Sequence, residues 1–101
     1  MSCEHSASLM GDKSVTCPQT YLTGYGGHVM AMGEDATLRL AGVEAVRMGQ
    51  TNVLGRYPLH MHMMGATAGA RSYIKDCSVH EAYFRCFTVH GTSGATLAHN
   101  V

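Results

Sequence analysis

The chain has 101 residues, with seven Lys and Arg against seven Asp and Glu, so its formal charge at pH 7 is zero. That balance excludes a nucleic-acid-binding arm, a polybasic membrane patch and an acidic tail, each of which needs a charge excess. With 46% apolar and 14% charged residues the chain is expected to fold, into one domain at most, and no run reaches the roughly 18 apolar residues of a membrane span.

Residues 1–23 are mixed and polar without a period, and read as an irregular N-terminal segment. The first 20 lack the basic start and apolar run of a signal peptide. Of the four cysteines, Cys77 and Cys86 fall inside apparent strands, so a Cys3–Cys17 loop is the favoured disulfide. Free, mostly buried thiols are the default expectation. There is no C-x-x-C, and the histidines do not flank the cysteines at finger spacing, so structural zinc is not expected and no cofactor is assigned.

From Gly24 the texture changes. Short apolar-alternating runs appear at His28–Met32, Thr37–Leu40, Val43–Val46, Tyr57–Met63, Ser72–Ile74, Phe87–Val89 and Ala95–Leu97, separated by Gly-containing turns. Runs of this length with turn signals between them predict strands. Only Glu44–Met48 hints at a helix. The fold class is all-β over residues 24–101.

Internal repetition narrows the class. Leu38–Glu44 can be laid on Ile74–His80, which puts Arg39 on Lys75 and Val43 on Val79. Ile74 also matches Leu97, and Leu59-His-Met-His62 lies on Phe87-Thr-Val-His90. The offsets of 36, 23 and 28 residues fit a basic unit of 23, lengthened by Gly-rich loops at 48–56 and 64–71. That is the size of one coil of a parallel β-helix, whose apolar face is buried only by stacking on neighbours. The expectation is about three coils, with Ile74 stacked between Leu38 and Leu97. The chain reads as part of a longer β-helix, stopping within a strand at Val101.

Alternation assigns the faces. Leu59, Met61 and Met63, with Phe87 and Val89, are expected to point inward. His60, His62, Thr88 and His90 then form an outward ladder, His62 beneath His90, bordered by Arg56 and the 64–71 loop. The ladder has three readings. It is a solvated polar face, an acid/base or substrate-orienting site, or a metal site of His-x-His spacing. No metal is assigned from the sequence.

Other residues carry weaker signals. Glu44, Asp76, Glu81 and Asp12 are candidate carboxylates for glycan cleavage, although Asp76 and His80 beside Lys75 read better as a solvated face. Met61, Met63 and Met64 read as gap-filling core. Tyr21, Tyr25 and Tyr57 are candidates to stack on sugar rings, and Arg47, Arg56, Arg71 and Arg85 to meet anionic groups bidentately.

The segment Gly49-Gln-Thr-Asn-Val-Leu-Gly-Arg-Tyr-Pro-Leu-His-Met-His-Met-Met-Gly65 resembles a signature G-Q…L-G-R-Y-P-(I/V)-H-F-H-(M/L)-x-G. That signature belongs to the β-helix region of the family of cell-migration-inducing hyaluronan-binding protein (CEMIP), transmembrane protein 2 and fibrocystin-like proteins. Ser72–His80 and Arg85–Gly91 resemble its downstream motifs, and Gly26-Gly-His28 and Val43-Glu44 its preceding coil. Met61 stands where the signature has Phe.

The resemblance implies a right-handed parallel β-helix and an extracellular or cell-surface location. It also implies a glycosaminoglycan partner such as hyaluronan, with the rest of the parent β-helix and neighbouring domains, while the charge balance argues against nucleic acid. If the chain is catalytic, the expected activity is hyaluronidase-like glycoside hydrolysis. His62 and His90 would then move protons, with His60 in the same ladder, and Arg56, Tyr57 and Arg85 would hold the substrate. The alternative is a non-catalytic receptor or adhesion module of fibrocystin-like type, which the neutral charge favours slightly because an anionic polymer prefers a basic groove.

Overall fold

A computed structural model describes residues 23–101. The Cys3–Cys17 pairing and the irregular segment up to residue 22 lie outside the described residues, as do Asp12 and Tyr21. Within 24–101 the protein is all-β apart from one short helix. The strands are β1 (Val29–Met32), β2 (Arg39–Ala41), β3 (Glu44–Val46), β4 (Leu59–Met64), β5 (Tyr73–Lys75), β6 (Ser78–His80), β7 (Phe87–Thr92) and β8 (Thr96–Ala98). Helix α1 (Gly65–Ala70) sits between β4 and β5.

The strands form three sheets, ordered β1-β4-β7, β2-β5-β8 and β3-β6, and every strand pairing is parallel. The chain visits the three sheets in a fixed order and then returns to the first, so strands adjacent in sequence never pair. Past β8, Val101 donates to the Cys77 carbonyl and accepts from the Val79 amide, bonding the backbone there against β6.

Left-handed residues set the corners. Gly33, Met63 and Gly91, each one past a register-matched trio in β1, β4 and β7, have φ of 93°, 51° and 56°. Gly42, Asp76 and His99, just past β2, β5 and β8, have φ of 67°, 51° and 55°. A single left-handed residue turns the chain without helix formation, and glycine adopts it without a Cβ clash. The repeat therefore lies in backbone conformation as much as in side chains.

The middle strands supply the core. Leu59, Met61 and Met64 of β4, Ile74 of β5 and Val79 of β6 are buried, with Leu38, Ala45, Ala68 and Cys77 around them. Their counterparts on the flanking strands have a stacked neighbour on one side only among the described residues, and stay partly open: Val29 is 37% exposed, Val89 42% and Leu97 43%.

Several sequence expectations need correction. Ile74 pairs with Leu97 as expected, but with Leu40 rather than Leu38 on its other side. Likewise Arg39 pairs with Tyr73 rather than Lys75, and Val79 with Ala45 rather than Val43. A slip of two residues keeps every side chain on its face, so alternation does not detect it. The corner at Gly42 and Asp76 decides the register.

Met63 does not point inward. Its left-handed φ breaks the alternation, leaves it 53% exposed and gives the inward place to Met64. The 64–71 loop is largely helix α1, whose sequence Gly-Ala-Thr-Ala-Gly-Ala is too short to show a 3.6-residue period. Glu44–Met48 begins as strand β3. Cys77 lies between β5 and β6 and Cys86 just before β7, so neither is inside a strand, and both are free thiols.

Candidate functional site

The sheet β1-β4-β7 carries the site. Its register places Met30, His60 and Thr88 in one outward row and Met32, His62 and His90 in the next. The expected stacking of His62 on His90 and His60 on Thr88 is present. The ring centroids of His62 and His90 are 4.9 Å apart, close to the spacing of neighbouring strands. Their Nδ1 atoms approach to 3.1 Å.

His60 differs from the solvated residue that the ladder implies. It points away from the core, but the segment 51–57 folds over it and leaves it 2% exposed. Its Nδ1 lies 3.1 Å from the Gly55 carbonyl oxygen. A carbonyl only accepts, so Nδ1 carries the hydrogen and Nε2 presents a lone pair. Among the described residues that buried Nε2 has no hydrogen-bond partner, nor has the hydroxyl of its neighbour Thr88. Burial pushes the His60 pKa below its ordinary value, opposed by the Gly55 hydrogen bond and helped by the nearby His62, His90 and His28 rings.

A cavity of about 730 Å³ opens over this sheet. Met30 and Met32 line the cavity from β1, Val53 to Tyr57 from the covering segment, and Arg85 and the three histidines are among the other lining residues. Arg56 is fixed by a 3.0 Å contact between its guanidinium and His28 Nε2. Tyr57 is buried, stacked at 5.3 Å on Phe84 and edge-on at 4.9 Å to His60. The Arg85 guanidinium lies 5.7 Å from the Tyr57 ring and 5.8 Å from the Phe84 ring. All six residues singled out for the site thus line one cavity.

The other candidates lie elsewhere. Glu44 hydrogen-bonds His80 at 2.7 Å, Glu81 meets Arg47 at 3.7 Å, and Asp76 faces His99 at 3.4 Å. None of these carboxylates lines the cavity. The four arginines form no cluster: Arg56 and Arg85 line the cavity, Arg47 pairs with Glu81, and Arg71 caps α1. The cavity is bordered by residues 53–57, not by the 64–71 segment.

Sequence reading missed Met30, Met32 and Phe84 as neighbours of the site. The β1 methionines were legible as outward positions once His28–Met32 was aligned on β4. Phe84 precedes the strand that it supports and carried no pattern.

Comparison with known proteins places the chain. A family model described as the CEMIP β-helix matches residues 24–101. The chain belongs to the CEMIP β-helix family. A G8 domain-containing protein of Dictyostelium discoideum is 48% identical over 92% of this chain, and communication mutant protein F of the same organism 49% identical over 78%. Human cell surface hyaluronidase CEMIP2 is 40% identical over 69%. The chain spans only 6%, 7% and 5% of the lengths of these three CEMIP-related proteins. No solved structure matches it. Among the described residues no helix is long and apolar enough to cross a membrane.

Proposed function

We propose that the chain is a stretch of right-handed parallel β-helix, about three coils, from an extracellular or cell-surface protein, and that its cavity holds a glycosaminoglycan such as hyaluronan. The observation that carries this reading is the cavity lining, which among the described residues includes Arg56, Arg85 and three histidines and no Asp or Glu. Such a lining favours an anion even though the whole chain is neutral. Two guanidiniums can each grip a uronate carboxylate bidentately. Tyr57 is too enclosed to lie flat on a sugar, and serves by setting the positions of Arg85 and His60. Membership of a family that includes a protein named as a cell surface hyaluronidase supports the substrate class and the location.

A non-catalytic receptor or adhesion module remains the second reading, favoured by one observation. Glycoside hydrolysis ordinarily uses a pair of carboxyl groups at the scissile bond, and no carboxylate of the described residues lines the cavity. If cleavage occurs there, proton transfer falls to His62 and His90, with their nitrogens 3.1 Å apart.

The test is hyaluronan-oligosaccharide binding and cleavage by the full chain. Replacing both Arg56 and Arg85 by Ala should weaken binding at least tenfold, since one charge-assisted hydrogen bond contributes about 1.5–3 kcal/mol. Replacing His62 and His90 by Gln should remove cleavage while sparing binding if the module is catalytic. Unchanged binding in the double arginine variant, with the fold confirmed by circular dichroism, would refute the assignment of the cavity.

A further inference from the structure

Three imidazoles converge at the floor of the cavity. His60, His62 and His90 each offer a ring nitrogen, and the three atoms lie within 4.8 Å of one another. The Nδ1 atoms of His62 and His90 are 3.1 Å apart. On a tetrahedral ion with metal–nitrogen bonds of ~2.0–2.1 Å, two ligand atoms are separated by ~3.3 Å. The His62–His90 spacing is therefore close to what a shared ion requires.

A hydrogen bond between His62 and His90 explains that pair by itself. It does not explain His60. The buried Nε2 of His60 presents a lone pair that no donor meets among the described residues, while Nδ1 donates to the Gly55 carbonyl. An unpaired buried polar atom is costly, and in native proteins it calls for a partner. Donation from the far ring nitrogen to a backbone carbonyl is the usual outer-shell arrangement of a metal-bound histidine, because it fixes the tautomer and aims the lone pair.

The surroundings suit a late transition metal. Three imidazoles, with no carboxylate among the described lining residues, disfavour Ca²⁺ and Mg²⁺, which seek oxygen ligands. Met30 and Met32 line the same cavity and bring no competing oxygen ligand. His90 is exposed and His62 partly so, which leaves the fourth position open to the cavity rather than closed by protein. An open position is the mark of a site that presents its ion to water or a ligand.

We propose that His60, His62 and His90 form a three-histidine site for a late first-row divalent ion, of the class of Zn²⁺ and Cu²⁺, with its open coordination position facing the cavity. The site stands whether or not the cavity takes a glycosaminoglycan, because it rests on the three rings and the unpaired nitrogen.

The test is isothermal titration of the chelator-stripped full chain with ZnCl₂ and with CuSO₄, and with CaCl₂ as control. Electron paramagnetic resonance of the Cu²⁺ form reads the ligand set. The expected result is one tightly bound ion per chain for Zn²⁺ or Cu²⁺, none for Ca²⁺, and a copper spectrum with nitrogen coupling. The variant H90Q, at an exposed position, should keep the fold and weaken binding by more than the ~10–100-fold typical of losing an outer-shell partner. The double variant H80Q/H99Q removes the exposed histidines that face Glu44 and Asp76 and should bind as the parent does. Unchanged affinity in H90Q, loss of binding in H80Q/H99Q, or no Zn²⁺ or Cu²⁺ binding at micromolar concentrations would overturn the proposal.

Discussion

Gly69→Ala tests whether α1 is seated on β7 as closely as the structure has it. By helix propensity alone the substitution is favourable, since Ala gains about 1 kcal/mol over Gly in a helix interior. The packing reverses the sign. A Cβ at Gly69 falls 2.9 Å from Thr92 Cγ2 and closer still to the Ser93 carbonyl oxygen, which is backbone and has no rotamer by which to withdraw. Restoring ordinary contact requires the helix to lift by roughly 1 Å.

Lifting α1 strains the 3.1 Å hydrogen bond from Ser93 N–H to the Gly65 carbonyl, which contributes about 1 kcal/mol. It also loosens Ala68, which is fully buried in the core. Overpacking of this kind costs about 1–3 kcal/mol, so with the propensity gain of about 1 kcal/mol subtracted the net loss is about 0–2 kcal/mol. Urea denaturation of the parent and the variant, followed by circular dichroism, measures it as a lower midpoint at unchanged slope. Thr67→Ala, at an exposed position in the same helix, is the reference and should be neutral or slightly stabilising. A raised midpoint for Gly69→Ala would refute the reasoning and mean that α1 stands off from β7.

Ser72 links three elements, donating to the Ala68 carbonyl at 2.8 Å and accepting from Leu38 N–H at 3.1 Å while buried. Ser72→Ala should cost about 2–3 kcal/mol in the same denaturation assay, because an orphaned buried donor loses its full solvation. Asn100 bridges two segments, its Oδ1 accepting from Cys77 N–H at 3.0 Å and its Nδ2 donating to the Ile74 carbonyl at 2.9 Å. Asn100→Asp sets a carboxylate against that carbonyl, so its folded-state pKa rises above the ordinary ~3.9. The loss relative to the parent should be about 1–2 kcal/mol at pH 7 and shrink as pH falls toward 4, where the protonated acid donates again. A deficit that stays constant across that range, measured at matched pH values, would remove the Ile74 contact from the account.

Much of this protein was legible from residues 24–101 alone. Short alternating runs and an internal repeat specify parallel stacked strands, because period-2 apolarity with glycine turns has few other ways to be buried. The equivalence of Leu59-His-Met-His62 with Phe87-Thr-Val-His90 set the register that stacks His62 on His90, with no insertion needed inside the strands. The family signature around Leu54–Met64 placed Arg56, Tyr57, His60 and His62 in one neighbourhood.

Where sequence and structure part, the reason is tertiary. The pairing of β2 with β5 slipped by two residues, because Leu38 and Leu40 share a face and alternation cannot separate them. Backbone conformation at Gly42 and Asp76 did. Met63 turned outward through a left-handed φ that its side chain gave no reason to expect, though Gly33 and Gly91 at the matching corners foreshadowed it. The burial of His60 depends on a segment contributed by residues 51–57, and no strand pattern records that a loop closes over a ladder. That closure leaves the nitrogen of His60 unpaired beside His62 and His90, and so separates a solvated row of histidines from a site able to hold an ion.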